Sequence, residues 1–489
     1  MQLYRIDYYQ RLRERMPDIL ADADRLAAEL AIPGARRGGI GISGANSSCP
    51  GRLHDEVLKA IEHVSSRAVP LVRLGDELRR LVKSVYGDAY DAALAANSEA
   101  GLWVSFNALI TPPLMGHGEP YRVRYIVPYE RHIEHHGSYG RPVPAGYKDI
   151  FADRGATAGE LGLLGRRQEL LDTVIVKLPG ARYEVHGIKS YICPLLFEVE
   201  AEAAASAIRR AAERQGPWLG GFASLAYDTP GYGYGAKDAD GTPLLQRRMG
   251  EIAQECGLPY IADNASGMPI LGTDIRKIGA DLMIFSMDKL AGGPCAGLIV
   301  GREEAMVGIR RALGTHSERF GTLSAYGKSG FVAADPGKEA LAGSIAALRL
   351  LRDSPETVIA PIDLLFEIVR DVRATYADEL GSGIEIARSV NSGGVEVNYQ
   401  RTWDGGGLGI PIFSHEDRIA GSNVLNAIIA RLGVMPSVAD DASIVITPGI
   451  GTLAGDGTLI EEAARDVART LFAGLALLKR WGERIAREH

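Results

Sequence analysis

Apolar residues recur at different spacings along this chain, and the changes in spacing divide it into three stretches. Residues 3–31 show helical spacing, which ends at Pro33 and the glycines that follow it. From about 40 to 335, short apolar strands alternate with helix-like segments, which is typical of an open, mostly parallel α/β sheet covered on both faces. Beyond 335, a long helical stretch leads into a hairpin and further helices, which indicates a smaller α+β domain.

We predict individual elements from the same spacings. The predicted strands are 92–96, 122–130, 172–180, 219–228, 259–267, 280–288, 296–301 and 443–449, with a hairpin over 383–400. The predicted helices are 98–110, 200–215, 244–257, 337–353, 416–432 and 457–487. The chain therefore divides into an N-terminal helical arm (1–40), a large domain (41–335) and a small C-terminal domain (336–489).

Composition narrows the class of protein. The 489 residues are 46% hydrophobic, and four scattered cysteines without a CxxC pair argue against a disulfide framework or a zinc site. The net charge of −7 argues against a nucleic-acid partner, because a polyanion is held by clustered lysines and arginines. The chain shows no signal-peptide pattern and no apolar run of about 18 residues. We therefore expect a cytoplasmic protein with no membrane partner.

The candidate chemistry lies where predicted strands end, since open α/β sheets place ligands at the carboxyl ends of their strands. One strand ends at Asp263, the next ends at Ser286, and Lys289 follows. The interval from Asp263 to Lys289 predicts a helix-sized crossover between neighbouring strands. Upstream, the turn 97–101 (NSEAG) opens a predicted helix, and a helix start offers N–H groups to a phosphate.

An acid, a lysine and an anion cradle together fit pyridoxal 5'-phosphate (PLP). That cofactor needs a lysine for its internal Schiff base, a carboxylate on its pyridinium nitrogen and a phosphate pocket. A lysine in an apolar site has its charged form disfavoured, which eases imine formation. The alternatives are a surface lysine after a strand, a turn aspartate and an ordinary helix cap.

The segment YIADNASGMPILGTDIRKIGADLMIFSMDKLAGGPCAGLIVG (260–301) resembles the core of fold-type I PLP-dependent enzymes. It is most similar to the selenocysteine synthase (seryl-tRNA selenium transferase) family, which has a similar aspartate–x–x–serine–glycine stretch and a GDKLLGGPQAG-type lysine loop. The resemblance is specific over 255–301, weaker over 40–255 and only topological past 335. It implies a fold-type I PLP-dependent transferase fold. That fold has a large PLP-binding domain with a mainly parallel, seven-stranded type of sheet and a smaller α+β C-terminal domain.

The same resemblance implies roles for individual residues. Lys289 is the expected Schiff-base lysine, and Asp263 is the expected pyridinium partner. The remaining expected cofactor contacts are Ser98, Glu99 and Ala100 at the phosphate, Ser286 through its hydroxyl, and Ser266.

Three features depart from that family's pattern. The chain is acidic and has no evident basic arm for tRNA, Glu99 adds negative charge beside the expected phosphate, and Cys295 stands where the family usually has glutamine. We therefore expect a relative that acts on a free amino acid or an amino sugar acid rather than on a charged tRNA.

Histidines and arginines supply further candidates. His135 or His136 is expected to stack on the cofactor ring, which we favour over a metal site at these histidines; no metal is expected. His186 is a candidate substrate contact or general acid, with an ordinary loop histidine as the alternative. Arg388 and Arg401 are candidates for the substrate carboxylate because a guanidinium binds both oxygens, with surface arginines as the alternative.

Residues 310–330 are expected to reach a neighbouring subunit, so we expect a homodimer or a larger homo-oligomer with shared active sites. The expected reaction passes through an external aldimine and a quinonoid to β-elimination or β-replacement, a lyase or transferase activity on a small-molecule amino acid. Aminotransfer, racemisation and decarboxylation on the same scaffold remain open. A non-catalytic or tRNA-associated PLP-binding protein is the alternative from another class.

Overall fold

The computed structural model describes most of the chain, and its strands form one large and one small sheet, apart from a separate antiparallel pair of two-residue strands, Ala45–Asn46 and Cys49–Pro50. It describes residues 11–43, 45–46, 49–50, 53–110, 124–129, 175–177, 189–194, 201–216, 219–226, 228–229, 236–313, 334–399, 401–402, 409–411, 424–437 and 443–488. The strands of these two sheets are β1 (Tyr90–Ala95), β2 (Arg124–Tyr129), β3 (Ile175–Lys177), β4 (Lys189–Pro194), β5 (Leu219–Leu225), β6 (Tyr260–Asn264), β7 (Leu282–Ser286), β8 (Gly297–Arg302), β9 (Glu385–Ser389), β10 (Gly394–Asn398) and β11 (Ser443–Ile446).

Helices cover the large sheet and build much of the second core. They are α1 (Met16–Leu30), α2 (Asp55–Ser65), α3 (Leu71–Tyr86), α4 (Ser98–Leu109), α5 (Ala201–Gln215), α6 (Leu244–Cys256), α7 (Ile275–Ile278), α8 (Glu303–Ala312), α9 (Lys338–Asp353), α10 (Glu356–Thr375), α11 (Ala377–Leu380), α12 (Val424–Leu432) and α13 (Glu461–Arg487). None of the helices in the described ranges is long and apolar enough to cross a membrane.

The large sheet has the spatial order β1-β8-β7-β6-β5-β2-β4-β3. All neighbouring pairs from β7 to β4 are parallel, whereas β8 is antiparallel to both of its neighbours and β3 is antiparallel to β4. The prediction of a mainly parallel sheet is confirmed. In the described part of the chain it has eight strands rather than seven. Seven of them fall at the predicted strands, and the eighth, β4 (Lys189–Pro194), was not predicted.

The central strands are buried along their whole length. Every residue of β5, β6 and β7 is buried, as expected for parallel strands with helices on both faces. Such strands consist almost entirely of apolar residues, so the polar residues at their carboxyl ends stand out. Asp263 and Asn264 end β6, and Ser286 ends β7.

Two hydrophobic cores lie in the described part of the chain. The first contains the side chains of the large sheet and reaches into α9 through Leu341 and Leu348. The second combines the small sheet β9-β10-β11 with α12 and α13, and it includes Ile19 and Ala23 of α1. The N-terminal helix thus packs with the C-terminal part of the chain, and α9 packs with the large sheet. The domain boundaries given above stay a prediction.

The connection between β6 and β7 differs from the expected one. The two strands are parallel neighbours as predicted, but their crossover contains only the one-turn helix α7 (Ile275–Ile278). Most of the crossover consists of turns that bond to other parts of the chain; Met268, for example, donates its N–H to the Asn391 carbonyl. Tertiary contacts therefore take the place of the helix that the interval suggested.

Candidate active site

Polar residues from three strands meet at one edge of the large sheet. Register pairs Asp263 with Ile284 and Asn264 with Phe285, so the carboxyl ends of β6 and β7 lie side by side. Gly297, the first residue of β8, pairs with Ser286 on one side and with Ala95 on the other. This register brings the ends of β6 and β7 to the same edge of the sheet. The start of α4, the helix that follows β1, lies at that edge too.

Lys289 lies just beyond the end of β7 in a half-buried position. Its Nζ donates a hydrogen bond of 3.2 Å to Ser266 Oγ in the loop after β6. Burial lowers the pKa of the Lys289 ammonium, and the neighbouring carboxylates Asp263 and Asp288 oppose that shift. The amine is therefore easier to deprotonate than an exposed lysine, which favours its use as a nucleophile or base.

Asp263 is buried, with 7% of its surface exposed. Its Oδ1 accepts the Ala265 N–H at 2.9 Å. Burial raises the pKa of Asp263 to about 6, although the Ala265 N–H and the positive charge of Lys289 lower it. A buried carboxylate of this kind is stabilised by a cationic partner, because burial disfavours its charged form.

The lysine loop is closed by its own backbone. Met287 N–H bonds to the Ala296 carbonyl at 2.9 Å, and Gly293 N–H bonds back to the Met287 carbonyl at 2.8 Å. These bonds fix the segment that carries Lys289 between the antiparallel strands β7 and β8.

The start of α4 lies against β8. Asn97 caps the helix, and its side-chain oxygen accepts the Ala100 N–H at 2.8 Å. A Cβ on Gly297 would lie 2.2 Å from the Asn97 carbonyl oxygen and 2.7 Å from the Ser98 nitrogen, so only glycine allows this approach. The Ala100 N–H is used within the cap, and the roles of Ser98, Glu99 and Ala100 in phosphate binding stay predictions.

Ser286 and Asp288 form a local pair. The Ser286 hydroxyl donates to Asp288 Oδ1, and both side chains are buried. The hydroxyl proton is thus directed to a carboxylate in this structure. Its expected contact with a phosphate stays a prediction.

Lys289 and Asp288 also line a cavity between the two cores. Its other walls are residues of α9 and α10, the turn after β9 and the loop after β11. The lining residues outside the lysine loop are His54, Met268, Leu350, Thr357, Val358, Pro361, Ile362, Gly393, Pro448, Gly449, Leu453 and Gly457. The cavity that contains Lys289 is therefore lined by residues from both parts of the chain.

The two candidate arginines do not line this cavity. Arg388 donates from Nε to Asp363 of α10, so a carboxylate of the protein already occupies its fork. Arg401 is 71% exposed and lies 3.8 Å from Glu385. Their role at a substrate carboxylate stays a prediction. His135, His136 and His186 lie outside the described residues.

Sequence reasoning did not find two amide side chains at this site. Asn264 follows Asp263 directly, and Asn391 in the turn between β9 and β10 bonds to it with its Nδ2 and Oδ1. Asn264 stands in the recognised ADNASG stretch, which is a usable signal. Asn391 stands in a VNSGG turn, where asparagine is common for local reasons, so no sequence pattern indicates this contact.

Comparison with known proteins identifies relatives of the segment that carries the site. Residues 246–376 match the family model for L-seryl-tRNA selenium transferase. The L-seryl-tRNA(Sec) selenium transferases of Actinobacillus pleuropneumoniae serotype 5b and Edwardsiella ictaluri are both 38% identical, over 78 and 79 residues. Each alignment covers 14% of this chain and 17% of the relative, so the chain matches about a sixth of each relative's length.

The fold extends the likeness over nearly the whole chain. The SepCysS–SepCysE N-terminal domain complex has a similar structure, with a TM-score of 0.50 and 12% identity, covering 91% of this chain and 97% of that one. The predicted resemblance is confirmed for the matched segment, which runs to residue 376 and so extends beyond 335, where only a topological likeness was expected. The fold class is confirmed as that of fold-type I PLP enzymes. PLP is the cofactor that this family and fold imply.

The residues at the sheet edge fit that cofactor. PLP brings an aldehyde that reacts with an amine, a ring nitrogen that can carry a proton, and a phosphate. Lys289 supplies an amine with a lowered pKa, and Asp263 supplies a buried carboxylate suited to a cation. The first turn of α4 lies at the same edge and presents helix N–H groups.

Proposed function

We propose that this protein is a PLP-dependent enzyme that carries out β-elimination or β-replacement on a free amino acid or amino sugar acid. One observation carries the proposal: Lys289 and Asp263 lie at the adjacent ends of two parallel strands. Burial shifts the pKa of each side chain toward its neutral form, and the charge of each opposes the shift of the other. Both residues fall inside the segment that matches the selenium transferase family. Lys289 would hold the cofactor covalently, Asp263 would bind its ring nitrogen, and α4 would receive its phosphate.

When bound, PLP supplies an electron sink that stabilises negative charge on the substrate carbon next to the amine. With the cofactor bound, Lys289 Nζ would be the base that takes the proton from that carbon. Its lowered pKa keeps a larger share of the amine neutral near pH 7 than in an exposed lysine. The hydrogen bond to Ser266 Oγ orients Nζ for this role.

Asp263 would hold a proton on the cofactor's ring nitrogen. With a pKa of about 6 the carboxylate is mostly ionised near pH 7. In a buried site an anion and a cation stabilise each other more than in water, so the aspartate favours the protonated ring.

Two observations support the reaction and substrate class. The matched family is named for selenium transfer to a seryl group, a change that replaces the substituent on a β-carbon. The net charge of −7 disfavours a large polyanionic substrate such as tRNA, which favours a small amino acid.

The first test compares Lys289→Ala with the matched control Lys277→Ala, which removes a lysine that is 45% exposed. After reconstitution with PLP, the wild type and Lys277→Ala should show the absorbance band of a lysine-bound cofactor, and Lys289→Ala should not. Borohydride reduction followed by peptide mass spectrometry should locate the adduct on Lys289. A band that persists in Lys289→Ala, or an adduct on another lysine, would overturn the assignment.

A panel of amino acids then identifies the reaction. Formation of ammonia and a keto acid without a second substrate indicates elimination, and a product carrying an added nucleophile indicates replacement. A strict requirement for a keto-acid acceptor would contradict the proposed reaction and indicate an aminotransferase. Cofactor binding without turnover of any amine would contradict the enzyme assignment.

A further inference from the structure

Asn391 joins the small sheet to the strand ends of the large sheet. It lies in the turn between β9 and β10 and is 2% exposed. Its amide oxygen accepts two hydrogen bonds of 2.9 Å, from Asn264 Nδ2 and from the Thr273 N–H. Its amide nitrogen donates to the Ala226 carbonyl at 2.9 Å and to Asn264 Oδ1 at 3.2 Å.

The backbone of the same residue adds a further contact. The Asn391 carbonyl accepts the Met268 N–H at 2.8 Å. This one residue therefore holds the end of β5, the end of β6 and the loop after β6. That loop contains Ser266, which accepts the hydrogen bond from Lys289.

The same turn also touches the lysine loop. Gly393 has a φ of +62°, and a Cβ there would lie 2.5 Å from the Leu290 side chain. Glycine is required because of both the backbone conformation and the close approach. The turn 390–393 thus lies against both segments that carry the proposed catalytic pair.

The chemistry of Asn391 is specific to an amide. Its side chain donates two hydrogen bonds and accepts two, which uses its full capacity. Aspartate has the same shape but no N–H group, and its charge would face the Ala226 carbonyl and Asn264 Oδ1. Alanine at this position would remove the partner of three buried groups: the Ala226 carbonyl, the Thr273 N–H and the Asn264 side-chain amide.

We propose that Asn391 is a positioning residue for the catalytic pair: by holding Asn264 and the loop after β6, it sets the position of Asp263 and of Ser266 against Lys289. The catalytic use of this arrangement rests on the proposed function. The position of Asp263 and Ser266 relative to Lys289 can nevertheless be tested without the cofactor. The alternative is that the turn only attaches the small sheet to the large one. A substitution at Ser389 distinguishes this structural role from the positioning role. Ser389 Oγ donates to Asp228 Oδ1 and accepts the Ser392 N–H within the turn. Ser389→Ala therefore weakens the docking of the hairpin but leaves every group that Asn391 bonds to in place.

The test measures the pKa of Lys289 directly in the cofactor-free, full-length protein. Lysines are labelled with a trace of acetic anhydride across a pH series, and the rate at Lys289 is followed by peptide mass spectrometry, with exposed Lys277 as the internal reference. The charged groups that act on Lys289 are Asp263 and Asp288, and both remain in every variant. The variants are Asn391→Ala, Asn391→Ser and Ser389→Ala, each with a thermal unfolding curve.

We expect Asn391→Ala to raise the labelling midpoint of Lys289 by about half a pH unit or more, because water reaches the ammonium once the loop is released. Ser389→Ala should leave the midpoint unchanged, even where it lowers the melting temperature. If Asn391→Ala does not fold, Asn391→Ser, which retains a hydroxyl donor and acceptor, should give a smaller shift in the same direction.

Two results would overturn the inference. One is an unchanged Lys289 midpoint in an Asn391 variant that is folded but less stable, which is the behaviour of a purely structural contact. The other is an equal shift in Ser389→Ala. Failure of the proposed function would be recognised separately, because the wild type would then show no lysine-bound PLP while the labelling result remained readable.

Discussion

The burial of Asp263 lowers the stability of the cofactor-free protein at neutral pH. In the unfolded chain this carboxyl titrates near its ordinary value of 3.8, whereas in the fold its pKa is raised to about 6. Between these two pH values the folded chain holds a proton that the unfolded chain has released. The contribution of Asp263 to the free energy of unfolding therefore falls as pH rises through this window, and it stays lower above it.

Asp263→Asn should remove this pH dependence, because the amide has no charge to bury and can still accept the Ala265 N–H. The difference in pKa corresponds to about 3 kcal/mol, so the cofactor-free variant should be more stable than the wild type at pH 7 by up to that amount. Urea unfolding at pH 4 and pH 7 measures it. The 61% exposed Asp18 provides the control variant Asp18→Asn. A variant that is less stable than the wild type at both pH values would contradict the argument.

Sequence reasoning at the residue scale succeeded where polar residues interrupt buried strands. The position of Asp263, Ser286 and Lys289 at the ends of neighbouring strands could be predicted, because polar residues are expensive to bury in an apolar strand. Their roles in binding the cofactor stay predictions. Asn391 could not be predicted, because its role depends on a contact with Asn264 across 127 positions of sequence. Only the packing of the two cores brings these two amides together.

At the scale of elements, the cap of α4 links the helix to the proposed phosphate site. Asn97 accepts the Ala100 N–H and so fixes the first turn of the helix. A helix start binds anions through its N–H groups and its dipole, and both depend on an ordered first turn.

Asn97→Ala should lower the free energy of unfolding by about 1 kcal/mol and weaken PLP binding several-fold. Asn97→Ser, which restores a capping oxygen, should recover most of both losses. Chemical unfolding and absorbance titration with PLP measure the two effects. If Asn97→Ala bound PLP as tightly as the wild type while losing stability, the cap would have no part in holding the cofactor.

The elements themselves were predictable in different degrees. The hairpin β9–β10 was foreseen because alternating residues flank a glycine-containing turn, and the parallel strands were foreseen from their apolar runs. The crossover between β6 and β7 was not, because its turns are held by partners such as Asn391 and the Ala226 carbonyl, to which the Thr273 hydroxyl bonds. Helices α2, α3, α7, α8, α10 and α11 were not assigned individually from the sequence.

For the whole molecule, a cofactor held between elements of the fold should stabilise it. A ligand that binds only the folded chain adds about 2.7 kcal/mol at a concentration of one hundred times its dissociation constant. PLP should therefore raise the melting temperature of the wild type by scanning calorimetry, and the rise should be much smaller in Lys289→Ala. An equal rise in that variant would show that the stabilisation does not depend on the lysine.

The two cores are expected to respond together to this binding. The turn 390–393 belongs to the small sheet, yet it bonds to strand ends of the large one. Stabilising the sheet edge therefore stabilises the contact between the cores. One calorimetric transition shifted by PLP would agree with this coupling.

The closed lysine loop has a consequence for how this protein can change over evolution. Gly297 pairs with both Ser286 and Ala95, so the length of the loop between β7 and β8 sets the register of three strands at once. An inserted or deleted residue would have to be absorbed either by breaking the hydrogen bonds that close the loop or by slipping β8 against β7. A slip by one residue would move the side chains of β8 to the opposite face of the sheet. We therefore expect new substrates to be accommodated by changes of side chains or of more distant loops, because a change of length here would disturb the segment that carries Lys289.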